Sequence, residues 1–215
     1  FPEGYFNTID DWVKAATPEP TRATEAGLVV DPDWSLADGP MLFDPVQGSP
    51  KEFKSHHLHM HESVIKPVER PEFKITKLVQ FFKRNPKISC KKFQTTLTHE
   101  YLPELSTLNR LRGLILNIRN QDIDRAIRGF YPSSGWHFSN EGQVERAAFC
   151  SMWDGAVELY FDTIEDFQTG RLNSPMNAEL KAKEKFLFSS IWYIEVDENL
   201  IILPNRDRAP SFYFR

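Results

Sequence analysis

The sequence predicts an α+β fold built from β-α-β-β-α-β units. Two observations indicate this fold: the predicted strands and helices follow that order between Phe73 and Leu203, and an earlier part of the chain repeats the later one. The composition agrees with a folded domain, because 40% of the 215 residues are hydrophobic and 26% are charged.

The first half of the unit is predicted to be strand, helix, strand. Phe73 to Lys83 alternates well enough for a strand, and Leu111 to Arg119 predicts a second one. Between them, Ser89 is expected to cap a helix from about Lys91 to Leu108, whose apolar residues recur at helical spacing. Pro103 is expected to kink this helix or to end its first part.

The second half follows after a long loop. We expect a third strand from Arg146 to Phe161, a helix that opens at Asp162 or Thr163, and a fourth strand from Ile191 to Leu203. This is the ferredoxin-like order, in which both helices cover one face of a four-stranded sheet. Two such sheets facing each other make a barrel, which would cover the remaining face.

Two stretches of the chain occur twice. Glu3 to Trp12, EGYFNTIDDW, matches Glu158 to Phe167, ELYFDTIEDF, at most positions, and HESVIKP from His61 matches DENLIILP from Asp197. The first copy therefore holds only the back half of a repeat. We expect the chain to be a fragment or cleavage product, with the missing half-repeat supplied by an N-terminal fragment or a second polypeptide.

This repeat predicts the domain organisation. Residues 1–67 are the C-terminal half of a first repeat, with a long loop insertion at about 31–53, where proline, glycine and aspartate dominate. Residues 68–72 are a linker, and residues 73–215 hold a complete second repeat with a C-terminal tail.

Composition argues against several classes of function. The net charge of −4, with both signs mixed and no basic run, disfavours nucleic-acid binding. No apolar run is long enough to span a membrane and no signal peptide precedes Phe1, so we expect a cytoplasmic protein with no membrane partner. Cys90 and Cys150 lack metal or redox spacing and are read as free thiols.

A histidine-rich strand, SHHLHMHESVIKP, supplies the candidate catalytic residues. Side chains two apart on a strand share a face, so His57, His59 and His61 face one way and the intervening Leu and Met the other. In the second copy, Tyr193 and Glu195 alternate with Ile and Val in the same manner. We expect the apolar sides to pack on the helices and the polar sides to point into the barrel, where ionisable groups serve acid–base chemistry.

Two other readings of these histidines stay open. The pair His57 and His59 could chelate Zn or Fe, with His61 or Glu195 completing the set. Alternatively, the strand lies at a surface or an interface, where its histidines bond to neighbouring groups.

Two segments resemble EthD-domain proteins. Lys77 to Phe93, KLVQFFKRNPKISCKKF, is similar to their opening strand, turn and helix, and Trp153 to Phe167, WDGAVELYFDTIEDF, to their third strand. The resemblance covers nearly all of Phe73 to Leu203, and Glu3 to Pro67. It implies a tandem-repeat member of the dimeric α/β-barrel superfamily, with its first repeat truncated.

The resemblance implies small-molecule chemistry. Superfamily members include cofactor-independent polyketide cyclases, decarboxylases and monooxygenases, haem-degrading enzymes and small lyases, and fungal EthD relatives are linked to aromatic polyketides of secondary metabolism. One position departs from the family, because Tyr101-Leu102-Pro103 stands where the family often has His-x-Pro. His99 lies about 200° round the helix from Tyr101 and is a poor substitute for that histidine.

Four further residues are candidates for substrate binding. Tyr101 could donate a hydrogen bond to a substrate carbonyl, and Asn117 could point inward from the middle of a strand. Trp136 and His137 lie in a glycine-rich loop that could form a lid. The structural alternatives are packing for Tyr101, a hydrogen-bonded core amide for Asn117, and an ordinary solvent loop for the other two.

The leading hypothesis is an enzyme that needs no cofactor. It would decarboxylate, dehydrate or cyclise an aromatic or polyketide-like substrate in an enclosed barrel pocket, with histidines as acid and base. One alternative is a non-catalytic ligand-binding or assembly subunit that docks a second chain within an oligomer. The other is a Zn-, Fe- or haem-binding oxidoreductase of the same superfamily.

Overall fold

The computed structural model describes residues 8, 10, 11, 60–119 and 136–198. Contacts along the chain divide it into two compact units. One unit holds Met60–Arg119 and Trp153–Arg215, and the other holds Phe1–His59 and Asn120–Met152. The first of these units contains an antiparallel sheet with helices between its strands, so the predicted α+β class is confirmed.

Five strands form the sheet, and each pairs with its neighbours in antiparallel fashion. They are β1 (Met60–Lys66), β2 (Thr76–Arg84), β3 (Gly113–Arg119), β4 (Gly155–Phe161) and β5 (Phe188–Val196). Their order across the sheet is β1-β3-β4-β2-β5. The last four strands therefore have the predicted ferredoxin-like arrangement, and β1 is an added strand at the edge beside β3.

The helices lie between the strands in chain order. Between β2 and β3 are α1 (Cys90–Thr96), a π-helical turn (Leu97–Tyr101) and α2 (Leu102–Ser106). The other unit contributes α3 (Asn140–Ser151). Between β4 and β5 are α4 (Ile164–Phe167), a second π-helical turn (Gln168–Leu172) and α5 (Asn177–Leu187). Of the helices described, none combines the length and apolar character needed to cross a membrane.

The helix starts follow the predicted caps. The Ser89 hydroxyl accepts a hydrogen bond from the Lys92 N–H at 3.2 Å, and the Thr163 hydroxyl accepts one from the Asp166 N–H at 3.2 Å. Pro103 lies in the first turn of α2, directly after the π-helical turn, where its missing N–H matters least. The first helical region is thus interrupted before Pro103, as expected.

The third predicted strand is wrong in its first half. Residues from Arg146 onward are helical in α3, because Ser139 caps the segment by accepting a hydrogen bond from the Gly142 N–H at 3.1 Å. The glutamate, glutamine, arginine and alanine residues that follow also favour a helix. The strand begins only at Gly155. The fourth predicted strand begins three residues earlier than expected, at Phe188, and the end of its predicted range lies outside the described residues.

One face of the sheet carries the main core. This face packs against α1, α2, α4 and α5, and its buried side chains include Phe82, Leu114, Leu159, Leu97, Leu102 and Leu180. We call the opposite side the far face. Within the described residues β1 and β5 are the two edges and do not pair with each other, so this sheet is open. The predicted barrel, which needs a second sheet, stays a prediction.

Candidate functional site

Cross-strand register places several polar residues together on the far face. Lys77 on β2 lies opposite Tyr160 on β4. Glu158 lies two residues before Tyr160 on the same strand. Directly opposite residues share a face, as do residues two apart on one strand, so all three side chains point the same way. Asn117 on β3, opposite Ala156, points to the same face. We call this set, completed below, the far-face cluster.

Glu158 is the centre of the far-face cluster. Its Oε2 accepts a hydrogen bond from the Tyr160 hydroxyl at 2.6 Å and lies 3.0 Å from the Lys77 Nζ. Its Oε1 accepts a hydrogen bond from the Asn117 Nδ2 at 2.7 Å. The carboxylate therefore has a phenol, an ammonium and an amide as partners at once.

A second carboxylate completes the cluster. Glu198, just beyond β5, lies 3.7 Å from the Lys77 Nζ and forms an ion pair with Arg70. The Arg70 guanidinium lies 5.3 Å from the centroid of the Tyr160 ring, a cation–π distance. Lys77 is 1% exposed and Glu158 is 4% exposed. Burying charges costs free energy even when they are paired, and apolar residues in the same positions often make a core that is at least as stable. A buried set of charges is therefore a candidate for a functional site.

Aromatic rings lie beside the cluster on the far face. The Phe81 ring centroid lies 4.1 Å from that of Trp153 and 4.8 Å from that of Trp192. Phe81 is two residues along β2 from Val79, whose cross-strand neighbour is Glu158. The far face therefore places a stack of three aromatic rings next to the charged residues, with Trp192 as its exposed member.

A second polar cluster lies on the helix-covered face, around Glu184 of α5. The Glu184 Oε1 accepts hydrogen bonds from the Tyr101 hydroxyl at 2.8 Å and from Arg171 at 2.7 Å. Gln80 Nε2 donates to the Tyr101 hydroxyl at 3.1 Å. Burial, and then the charge of Glu184, raises the pKa of Tyr101 well above its usual value, so the phenol stays a donor. Tyr101 and Arg171 come from the two π-helical turns.

Tyr193 belongs to this second cluster. It lies opposite Gln80, and its ring centroid is 5.6 Å from that of Phe167. Burial, followed by the charge of Glu184, raises its pKa. The structure thus brings two predicted substrate-binding tyrosines together, but as neighbours of a helix-side ion pair rather than at a barrel lining.

The predicted facing of β5 is therefore wrong. Tyr193 and Glu195 lie on the helix-covered side, whereas Ile194 lies on the far face opposite Val79. The prediction assumed that only apolar side chains would face the helices. The Arg171–Glu184 pair lies on the helix side and gives polar side chains partners there. The far face in turn holds apolar residues beside its charges, so the two faces do not differ cleanly in polarity.

The predicted catalytic histidines are placed only in part. His57 and His59 lie outside the described residues, and their role stays a prediction. His61 is exposed on β1 opposite Ile118, which packs against the main core, so His61 shares the helix-covered side. Its expected position on the barrel side is wrong, and Met60 lies on the far face instead. In residues 60–119 and 136–198, potential ligand side chains do not gather into a group of three that could hold a metal ion.

The remaining candidates lie apart from one another. Glu195 lines an open depression of about 480 Å³ together with Lys74 and Asp197, which form an ion pair. Trp136 lies in a short 3-10 turn before α3, and the side chain of His137 lies outside the described part of the structure. Of the predicted substrate-binding residues, Asn117 is the one that the structure places in the far-face cluster.

Sequence reasoning missed the charged core of both clusters. Lys77 and Glu158 carried a usable signal, because each is a charged residue inside an apolar strand run, KLVQFF and VELYF, that reads as buried on both faces. Arg171 and Glu184 carried no such signal, since charged residues are ordinary on helices of a folded protein.

Comparison with known proteins gives a distant structural likeness. No family model matches the chain, and no curated protein matches it either. Among solved structures, the chain is similar to a dimeric protein of unknown function and ferredoxin-like fold from Bacteroides fragilis. The two share 12% sequence identity with a TM-score of 0.36, and the match covers 58% of this chain and 96% of that one. The ferredoxin-like assignment made above therefore rests on the strand order of this chain.

Proposed function

We propose that this chain is an EthD-like, pseudodimeric barrel enzyme that performs cofactor-independent lyase chemistry on an aromatic or polyketide-like acid. The observation that carries the proposal is the buried set of Lys77, Glu158 and Tyr160 on the far face. In a barrel made from two such sheets, the far face would line the interior. A phenol, a carboxylate and an ammonium held together are the groups that proton transfer requires.

Decarboxylation illustrates the roles that these residues would take. When the bond from the ring or α-carbon to the carboxylate breaks, CO₂ leaves and the electron pair delocalises onto a substrate oxygen. The Lys77 ammonium would stabilise that oxygen. Tyr160 would donate its proton to the carbon, and a proton from solvent would then restore the phenol, while the Glu158 carboxylate would hold the hydroxyl in place as its hydrogen-bond acceptor.

The aromatic rings beside the cluster support an aromatic substrate. Phe81 and Trp153 are both buried, and Trp192 extends the stack toward solvent. A planar substrate that packed against Trp192 and extended this stack would place its polar substituents toward Glu158 and Lys77.

The test is release of CO₂ from a panel of hydroxylated benzoates and aromatic β-keto acids. We expect the wild-type chain to convert at least one of them and Tyr160→Phe to lower kcat by about 100-fold or more, as for loss of a general acid. Tyr193→Phe is the matched control, because it removes the same hydroxyl from the helix-side cluster, and it should retain the rate.

Two results would reject the proposal. One is equal turnover by the wild type and Tyr160→Phe, which would remove the phenol from the chemistry. The other is binding of the acids, seen by quenching of tryptophan fluorescence, with no conversion of any of them. That second result would favour the non-catalytic ligand-binding subunit instead.

A further inference from the structure

Glu198 places a second carboxylate at the outer side of the far-face cluster. Its Oε2 forms an ion pair with Arg70, and its Oε1 lies 3.7 Å from the Lys77 Nζ and 3.3 Å from the Tyr160 hydroxyl oxygen. A guanidinium, an ammonium and a phenol are donors that proteins use to bind a carboxylate. These three donors therefore form a carboxylate-binding site, and a side chain of the chain itself occupies it.

The two carboxylates of the cluster are held differently. Glu158 lies within β4, which pairs with β2 and β3 at this position, and its oxygens accept from Tyr160 at 2.6 Å and from Asn117 at 2.7 Å. Glu198 lies two residues beyond Val196, the last residue of β5 that pairs with β2. Because a phenol has one proton to donate and Glu158 is the nearer acceptor, Tyr160 holds Glu198 only weakly.

The Arg70–Glu198 pair is also the part of the cluster nearest to solvent. The side chains of Arg70 and Glu198 are 16% and 13% exposed, whereas that of Lys77 is 1% exposed. Residues at the end of a strand open at a lower free energy than those of a central strand that is paired on both sides. Outward rotation of Glu198 therefore opens a path from solvent to the two cations and leaves Glu158 in place.

We propose that Glu198 is an autoinhibitory group, and that the carboxylate of an aromatic acid displaces it and binds to the same three donors. The aromatic class of the ligand rests on the proposed function, whereas its carboxylate follows from Arg70, Lys77 and Tyr160. The wild-type chain binds such acids with an affinity reduced by the fraction of molecules in which Glu198 occupies the site.

The surroundings of Glu198 suit an aromatic acid. Val196 lies opposite Lys77 on the far face, and Ile194, two residues before Val196 on the same strand, shares that face. Ile194 is 39% exposed and offers an apolar contact to a ring. The balance of charge is also kept, because one carboxylate replaces another beside Arg70 and Lys77.

Binding of benzoate tests the displacement. Benzoate carries the ring and the carboxylate but has no ring oxygen to receive the electron pair of decarboxylation, so its binding is measured without turnover. Glu198→Gln removes the competing charge and keeps the size of the side chain. It should lower the Kd of benzoate, measured by isothermal titration calorimetry, by about 10-fold.

Three controls isolate the competition. Asp197→Asn removes the same charge from the neighbouring residue, which is 73% exposed and pairs with Lys74, so the Kd should not change. Benzamide has the same ring without the charge, and it should bind the wild type and Glu198→Gln equally weakly. Arg70→Gln removes the main partner of the acid and should raise the Kd of benzoate by about 10-fold or more.

A second variant guards against misfolding. Glu198→Asp keeps the charges of the cluster, and thus the conditions for folding, but shortens the side chain by one methylene. It should lower the Kd of benzoate by a smaller factor than Glu198→Gln. Circular dichroism shows which variants are folded.

The outcomes separate this proposal from the proposed function. Equal or weaker binding of benzoate by the folded Glu198 variants, or no binding by any protein, overturns the autoinhibitory role. An unchanged Kd together with turnover that depends on Tyr160 rejects that role alone. A lowered Kd without turnover of any acid in the panel supports the carboxylate site and rejects the chemistry alone.

Discussion

Lys77 is the residue on which the far-face cluster most depends, since it is the ammonium that lies within 4 Å of both Glu158 and Glu198. Lys77→Met would leave the Glu158 carboxylate buried without its ammonium partner. Removing one partner of a buried ion pair costs about 3–5 kcal/mol. We therefore expect the free energy of unfolding, measured by urea denaturation, to fall by about that amount.

The double variant Lys77→Met with Glu158→Leu is the control. Because it removes both charges, the loss should be smaller than the sum of the two single losses. Additive losses would show that the two side chains do not interact through their charges.

Tyr101 gives a prediction about alkaline pH. Its pKa is raised in the folded chain by burial and by Glu184, so the folded state holds the proton to higher pH than the unfolded state. The stability linked to this proton is present below the unfolded value near pH 10 and is lost as pH rises above it. The free energy of unfolding of the wild type should fall more steeply from about pH 9 to pH 11 than that of Tyr101→Phe.

The comparison is between slopes, because Tyr101→Phe also loses the hydrogen bond to Glu184 and is less stable at every pH. Parallel curves for the two proteins would contradict the assignment. Tyr193, whose pKa is raised as well, should leave a residual slope in the variant.

Single residues were the hardest scale to predict from sequence. The alternation of Tyr193 and Glu195 with apolar neighbours is real, but it does not say which side of β5 meets the helices. That depends on Arg171 and Glu184, which lie on the helical segments that precede β5 and give the helix side its polar partners. Lys77 and Glu158 were predictable in principle, as charges within apolar strand runs.

At the scale of elements, the π-helical turn from Gln168 to Leu172 depends on one glycine. A Cβ added at Gly170 would lie 2.4 Å from the Asn109 carbonyl oxygen, so the backbone would have to move. We expect Gly170→Ala to destabilise the chain by about 1–3 kcal/mol, as overpacking usually does. The measurement is again urea denaturation.

Thr169→Ala is the control for this turn, because Thr169 is exposed and adjacent to Gly170. It should change the free energy of unfolding by less than about 0.5 kcal/mol. Equal effects of the two changes would mean that the close approach to Asn109 is not what constrains the turn.

Elements were predictable where a local signal marked their start. Ser89 and Thr163 cap the helices that the sequence assigned to them, since a hydroxyl bonding to an N–H three residues ahead is a local interaction. The start of β4 was mistaken because Ser139 supplies the same kind of cap, and the sequence pattern around Arg146 was read as a strand. The two π-helical turns have no sequence signature and could not be predicted.

At the scale of the whole molecule, the sheet order was predictable for the four strands of the β-α-β-β-α-β unit, because that order of elements rarely folds in another way. The place of β1 beside β3 was not, since no local interaction links the two strands in the sequence. The EthD resemblance stays a prediction because no family model matches the chain, and the barrel stays one because it needs a second sheet beyond the five described strands.

The position of β1 has a consequence for the order in which the sheet opens. Among the five described strands it pairs with β3 alone, and its side chains are mostly exposed. It can therefore detach while the four-stranded unit and its core stay intact, at a free energy well below that of global unfolding. Amide hydrogen exchange should show it, with the β1 amides exchanging long before those of β4, which is buried along its whole length.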